Sequence, residues 1–273
     1  MPAPVISTHA TPGVTSISRW LFNCFVIHDG GAGTPFVVDA GLPSNGRDAA
    51  SLIRDLYGSA TTPACVVSTH GHSDHVGGIQ ELTATAGGPV LLPRRCQDYL
   101  AGAAAPTPGP RQLVKILPVM RDQPFDFAAL REMAGAARVA GYGRQAMRLP
   151  SPPDGYLSDG DELLGTSGWR VLHTPGHTED STCLYHADSA TLVSGDAVLT
   201  EGGVAWINPE LTDPHASSLT EERLRDLEVE HLFPGHGVPL HGSDLLRTAR
   251  SFRDTPRRRG WAGRAAIALG RWD

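Results

Sequence analysis

A chain of 273 residues with 40% hydrophobic and 19% charged side chains has the makeup of a globular protein, with room for one large α/β domain or two smaller ones. Its formal net charge of -6 gives no reason to expect nucleic acid, and a lysine complement of one, Lys115, argues against lysine-based phosphate or Schiff-base chemistry. No stretch approaches the apolar length that crosses a bilayer, and residues 1–20 lack a basic region followed by an apolar core, so no membrane partner is expected and the expected location is cytoplasmic.

In chain order, residues 21–28 and 35–39 read as strands joined by a glycine-rich turn at 29–33. Helical periodicity at 48–57 is followed by the apolar run Cys65-Val66-Val67-Ser68, which reads as a buried strand. A helix is expected from near His75 through Gln80 and Leu82, then a strand at 89–92. Residues from about 94 to 153 break the alternation, with two proline-rich stretches and a helical pattern over 127–147. Strands resume at Trp169, and helices are expected at 219–228 and 243–253. Two strand-rich parts with helices outside fit an αββα sandwich. Cys24, Cys65, Cys96 and Cys183 are scattered without CxxC spacing, and Cys65 and Cys183 read as core residues. The run Arg257-Arg258-Arg259 reads as a solvated tail.

Directly after the strand at 65–68, His70-Gly71-His72-Ser73-Asp74-His75 crowds imidazoles and a carboxylate into one short segment. Such a cluster is of little use to a core, and charged imidazoles would repel one another; a divalent cation gives it a purpose. The spacing does not make a single helical HExxH face. It suits a tight loop leaving a strand, from which His70 and His72 reach one ion while Asp74 and His75 turn toward a second. Three later turns supply further ligands. His177 lies in His173-Thr174-Pro175-Gly176-His177-Thr178, Asp196 follows Thr191-Leu192-Val193-Ser194-Gly195, and His236 closes Leu232-Phe233-Pro234-Gly235-His236-Gly237. Each stands where a buried strand gives way to a glycine-containing turn, and loops on the edge of a rigid sheet are where function is usually placed. His9, His28, His186 and His215 lack such a context and read as ordinary histidines. His173 reads as structural, and His231 and His241 as ordinary neighbours of the last motif.

The series HGHSDH, PGH, SGD and PGHG, with Val37-Val38-Asp39-Ala40-Gly41 upstream, resembles the metallo-β-lactamase-fold superfamily of metallohydrolases over residues 20–237. The resemblance implies one domain over residues 1–273, an α/β fold of the αββα sandwich type, with a helical insertion or lid at about 94–160 between two related halves. It implies one metal ion on His70, His72 and His177, a second on Asp74, His75 and His236, and Asp196 bridging the two. Asp39 would orient the histidine loop.

Departures from single subfamilies narrow the chemistry. The β-lactamases of this fold usually carry Cys or Ser where Asp196 stands, which counts against antibiotic hydrolysis. Hydroxyacylglutathione hydrolases add a C-terminal helical domain with basic side chains, whereas a short tail follows His236. The lactonases place a tyrosine three residues beyond the bridging acid, where Leu199 stands. The expected function is that of a dinuclear hydrolase of a small ester, thioester, lactone or related carbonyl compound, attacked by a hydroxide shared between the ions. Zinc suits imidazole and carboxylate ligands best, and iron or manganese would also be accepted. Asp74 is the candidate catalytic group, placed to orient the nucleophile or return a proton to the leaving group. The alternatives are a mononuclear iron oxygenase of the persulfide-dioxygenase type, using His70, His177 and Asp196, and a metal-binding sensor without turnover. The expected partner is a small molecule, and the oligomeric state is left open. Tyr99, Phe125, Phe127 and Tyr142 are candidates for a substrate pocket, and Trp206 is another, with core packing an equal reading.

Overall fold

Apolar residues alternate between two destinations along the central strands, and this sorts the chain into layers. Phe25, Val38, Val67 and Val193 point into one buried cluster, while their chain neighbours Val26, Val37, Val66 and Leu192 point into others. A strand apolar on both faces must be covered on both, so sheets with such strands sit inside a sandwich. The computed structural model describes residues 3–9, 12–28, 33–142, 146–256, 258, 260–270 and 272. Most of the turn expected at 29–33, together with Arg257 and Arg259 of the basic run, lies outside the described residues.

Among the described residues, one sheet takes seven strands in the spatial order Val5–His9, Val14–Arg19, Phe22–Ile27, Phe36–Val38, Val66–Val67, Val90–Pro93 and Gly155–Leu157. The first three joins are antiparallel and the last three parallel. Parallel neighbours need crossovers, which the helices Pro43–Tyr57 and Ile79–Ala86 supply on the outer face. The second sheet runs Trp169–His173, Thr182–His186, Thr191–Gly195, His231–Pro234, Leu240–His241. Its parallel join, between Thr191–Gly195 and His231–Pro234, is crossed by the helix Pro214–Arg225. Phe25, Phe36, Val67, Trp169, Leu184 and Phe233 fill the space between the sheets. The expected αββα arrangement is therefore present. At one seam the edge strands of the two sheets meet through imidazoles: His241 Nε2 lies 2.9 Å from His9 Nδ1, and its Nδ1 lies 2.8 Å from His231 Nδ1.

Several expected elements differ in extent. The first helix starts at Pro43 rather than near residue 48, because proline suits the first helical turn. The helix expected from His75 is broken into Ser73–Val76 and Ile79–Ala86. The break sits at Gly77-Gly78, where the Gly78 N–H donates to the Gly41 carbonyl at 2.8 Å. The pattern at 127–147 yields the helix Phe127–Ala136 and then the short hairpin Gly141–Tyr142 and Met147–Arg148. The helix Pro214–Arg225 begins earlier than expected because Asp213 caps it, accepting from the backbone of His215 and Ala216. Residues 243–253 form turns instead of a helix. There the Arg225 guanidinium donates to the carbonyls of Leu246, Arg247 and Ala249, which diverts those carbonyls from a helical ladder.

Residues 94–160 hold the helices Cys96–Leu100, Pro110–Leu113 and Phe127–Ala136, with 3-10 turns at Val114–Ile116 and Val119–Arg121. The end of this stretch returns to the first sheet as Gly155–Leu157. A helix that the sequence did not suggest, Gly260–Gly270, packs on the turn Val114–Ile116, and Lys115 Nζ lies 4.9 Å from the Trp272 ring centroid. Among the described residues no helix is long and apolar enough to cross a membrane.

The two helices that precede and follow the histidine loop touch backbone to backbone. A Cβ at Gly46 would run into the carbonyl of Gly78. Gly46→Ala is therefore expected to destabilise the fold by about 1–3 kcal/mol, read as a Tm lowered by about 2–4 °C per kcal/mol. An unchanged Tm would show that the helices can part without cost.

Candidate metal centre

The strand Phe36–Val38 ends at Asp39, whose φ of +55° turns the chain sharply and leaves its carboxylate fully buried. Asp39 Oδ1 accepts from the Thr69 N–H at 2.8 Å, and Oδ2 accepts from Thr69 Oγ1 at 2.9 Å and His75 Nδ1 at 2.8 Å. One carboxylate thus fixes the loop that leaves Val66–Val67 and the ring orientation of His75. The same device recurs with other acceptors. His177 Nδ1 donates to the Glu210 carbonyl at 2.7 Å, and His236 Nδ1 donates to the Leu21 carbonyl at 2.8 Å. His70 Nδ1 lies 3.2 Å from Thr69 Oγ1. Tying Nδ1 outward selects the tautomer that leaves Nε2 facing inward as a ligand atom.

Those four Nε2 atoms converge on Asp196. The nearest carboxylate oxygen lies 3.8 Å from His70, 3.4 Å from His75, 3.3 Å from His177 and 3.2 Å from His236. His72 approaches differently, its Nδ1 sitting 2.8 Å from His70 Nε2 and 3.2 Å from His177 Nε2. Asp74 Oδ2 stands 3.3 Å from His236 Nε2. The ligand atoms fall into two groups, His70, His72, His177 and Asp196 in one and Asp74, His75 and His236 in the other, each within 4.8 Å of one another. All seven residues expected from the sequence are brought together.

The arrangement is incomplete as a protein-only hydrogen-bond network. His75 Nε2 and Asp196 Oδ1 are buried without a hydrogen-bond partner, and a buried polar atom is seldom left so in a native protein. Imidazole nitrogens with carboxylate oxygens make a donor set suited to zinc, iron or manganese. Electrostatics agree. Burial, with His75 and His72 nearby, holds His70 well below its usual value, and burial with the His177 charge brings His72 down to about 4. Burial opposes charge on His75 and His236 too, but Asp39 and Asp196 outweigh it for His75, and Asp196 and Asp74 for His236. His75 is raised well above the usual value and His236 to about 10. Burial likewise opposes charge on Asp196 and Asp74, and the surrounding imidazoles outweigh it, holding both carboxyls below the ordinary range. Protons here occupy places that a cation would take.

Several side chains that hold the centre were missed. Asp180 is buried and accepts from the Gly71 N–H at 2.9 Å, from Cys96 Sγ at 3.1 Å and from the Tyr142 hydroxyl. Asn208 donates to the Asp196 carbonyl at 2.8 Å, and its Oδ1 accepts from the Glu210 N–H at 2.8 Å. An acid two residues beyond Thr178 in the His177 turn was the available signal for Asp180; Asn208 offered none. Tyr142 packs its ring 4.9 Å from that of His72, so it braces the loop. Tyr99 is buried, its hydroxyl donating to Glu179 at 2.8 Å. Phe125 and Phe127 are exposed, and Trp206 is core, 4.4 Å below the Arg250 guanidinium. His173 Nε2 lies 2.8 Å from the Glu179 carbonyl and serves structure.

The ligand atoms of His72, Asp74, His177, Asp196 and His236 face a cavity of about 330 Å³. Its walls are mostly apolar, with Trp20, Leu21 and Phe22 from the start of the chain and Leu113, Ile116, Met120, Leu130 and Met133 from the middle segment, which also contributes Thr107. A groove of about 420 Å³ past His9, Arg19, Phe125 and Val238 holds none of the candidate ligands.

The sequence profile of the family described as Metallo-beta-lactamase superfamily matches residues 21–236. Over 266 residues the chain is 27% identical to the probable metallo-hydrolase YflN of Bacillus subtilis, covering 88% of this chain and 91% of that protein. It is 28% identical over 232 residues to the acyl-coenzyme A thioesterase MBLAC2 of Gallus gallus, covering 81% and 75%. The solved structure of TTHA1623 in a di-iron-bound form superposes with a TM-score of 0.53 at 24% identity, over 86% of this chain and 96% of that one.

The titration of the ion-free protein follows from these environments. His72, lowered from 6.5 to about 4, takes up its proton later than the unfolded chain does, so stability falls as pH drops through that window. His236, raised from 6.5 to about 10, contributes stability that is complete below 6.5 and is lost as pH rises toward about 10. Chelator-treated protein should therefore show its highest Tm near pH 6.5. Ion-saturated protein should lose the alkaline decline, because cations then neutralise the carboxylates. Thermal unfolding across pH with and without chelator measures this, and an ion-free Tm that stays level up to pH ~9 would contradict the charge pattern.

Proposed function

The chain belongs to the metallo-beta-lactamase superfamily, and on that premise we propose that it is a dinuclear metal-dependent hydrolase of small acyl substrates, an ester, thioester or lactone. The observation that carries the reading is two ligand groups side by side beneath one apolar cavity. His70, His72 and His177 would hold one ion and Asp74, His75 and His236 the second, with Asp196 between them. A complete second group favours this over a mononuclear oxygenase. The likeness to an acyl-coenzyme A thioesterase supports an acyl substrate. Residues 1–273 are read as one domain, and the segment from about 94 to 160 as the insertion that shapes the cavity. The cytoplasmic location expected from the sequence stays in this reading, supported by the four buried, unpaired cysteines.

Divalent ions, when bound, supply Lewis acidity that makes water acidic near neutral pH and polarises a carbonyl oxygen. The chain's own residues do the rest. Asp196 lowers the net positive charge of the site and fixes the spacing of the two groups. Asp39, Thr69 and the carbonyls of Leu21 and Glu210 hold the rings in place before substrate arrives, which avoids reorganisation during reaction. Asp74, the less buried of the two candidate acid ligands, faces the cavity and is placed to orient the attacking water or pass its proton to the leaving group. The apolar walls hold the acyl chain and exclude competing water.

Elemental analysis should find two equivalents of divalent metal per chain, most readily zinc. Asp196→Asn should retain fewer ions and lose more activity than Asp39→Asn, whose expected loss is about 10–100-fold. A reproducible single iron with no gain on adding zinc would overturn the dinuclear reading. The walls yield a separate expectation for straight-chain acyl thioesters. kcat/KM should climb with chain length by up to about fourfold per methylene until the cavity is full. Met133→Trp should shorten the preferred chain while ion content stays the same. Equal kcat/KM for every length would remove the acyl-pocket assignment.

A further inference from the structure

One acid of the cavity has no place in the account above. Glu210 lines the same cavity as the candidate ligands, yet its residue is 5% exposed. Both sides of its backbone are clamped. Its N–H donates to Asn208 Oδ1 at 2.8 Å, and its carbonyl accepts from His177 Nδ1 at 2.7 Å. The next residue but one, Thr212, donates its N–H to the Gly176 carbonyl at 2.8 Å, so the loop is sewn to the His177 turn. The position of the side chain relative to the centre is thereby set. It lines the cavity together with His72, Asp74, His177, Asp196 and His236, which places it beside the centre.

That carboxyl does nothing for the fold that the structure records. It has no hydrogen-bond or ion-pair partner among the described residues, and it belongs to neither group of clustered ligand atoms. Its oxygens are not among the fully buried atoms left without a partner, so what they meet is the cavity, and a ligand there can complete them. Apart from Thr107, the cavity wall outside the candidate ligands is aliphatic, aromatic or thioether, and Glu210 is its one carboxyl. A single acceptor on an apolar wall can read one polar substituent of a substrate and ignore the chain around it.

We propose that Glu210 is the polar anchor of the substrate cavity, accepting a hydrogen bond from a hydroxyl or amide N–H on the acyl substrate and disfavouring substrates that bring a carboxylate to the same point. The inference rests on the reading of this cavity as the substrate site. It names a subset of acyl compounds, those with a neutral hydrogen-bond donor on the acyl chain. Glu210 acts by binding and selection, since a site built around a buried acceptor penalises the analogue that leaves it unpaired.

Three N-acetylcysteamine thioesters of equal carbon count test this: hexanoyl, hydroxyhexanoyl and adipoyl. The unsubstituted protein should prefer hydroxyhexanoyl over hexanoyl in kcat/KM by about 10–100-fold and turn over adipoyl poorly. Glu210→Leu should erase the hydroxyl preference with ion content unchanged. Glu210→Gln, which keeps an acceptor without charge, should retain the hydroxyl preference and relieve the discrimination against adipoyl. Calorimetric titration with hexanamide and hydroxyhexanamide provides a readout independent of turnover. If no thioester is hydrolysed but the hydroxyamide still binds tighter, and Glu210→Leu removes that difference, the anchor stands and the hydrolase reading fails. Equal treatment of the hydroxy and plain compounds by the unsubstituted protein, or a uniform loss with lost ions in Glu210→Gln, would overturn the anchor.

Discussion

Setting the Asp196 carboxylate within 3.2–3.8 Å of four imidazole nitrogens removes several charged groups from water at once, a cost that opposite charge must offset. The fold meets this by geometry. In both sheets most ligand-bearing loops leave parallel neighbours: Phe36–Val38 beside Val66–Val67 delivers Asp39 and the histidine loop, and Thr191–Gly195 beside His231–Pro234 delivers Asp196 and His236, while His177 comes from the turn of an antiparallel pair. Parallel strands end at the same edge, so groups far apart in sequence emerge together. Close approach then needs the smallest residue at one point, because a Cβ on Gly235 would strike the Asp196 carboxylate. The rings are aimed from behind by hydrogen bonds at Nδ1, and a cation in front would supply the charge that completes the balance.

How much of this the sequence disclosed follows from what kind of information each feature needs. The ligands were legible because histidines and acids at glycine turns carry their chemistry in their identity and need only be brought together. The layered fold was legible because alternation such as Phe25 against Val26 is a local pattern. Helix limits were less so. The break at Gly77-Gly78 depends on a hydrogen bond to Gly41, and the missing helix at 243–253 depends on Arg225, which lies in another element. The choice between pocket and packing for Tyr142 and Trp206 was not legible for the same reason: aromatic residues serve core, brace and pocket alike, and their partners Asp180 and Trp272 are distant in sequence. Glu210 had no motif to mark it; its burial and lack of a partner exist only in three dimensions.

The candidate ligands and the far wall of the cavity come from different parts of the chain. The ligand loops sit on sheet edges, rigid and common to the family, whereas the far wall of the cavity comes from the segment that carries Leu113, Ile116, Met120, Leu130 and Met133. Such a division lets one metal centre serve many substrates by replacement of its surroundings. The segment is nonetheless joined to the rest: Glu132 accepts from the Ser44 N–H at 2.9 Å, and Asp122 accepts from the Gly202 N–H.

The helix Gly260–Gly270 adds a constraint of another kind. It carries no ligand and lines no part of the cavity, yet it backs the turn that presents Ile116 to the substrate, with Trp272 between Lys115 and the buried Trp206. A substitution there reaches the cavity through packing alone, without touching the candidate ligands. In evolutionary terms, the helix Gly260–Gly270 is a place where the shape of the cavity can drift while the ligand set is conserved.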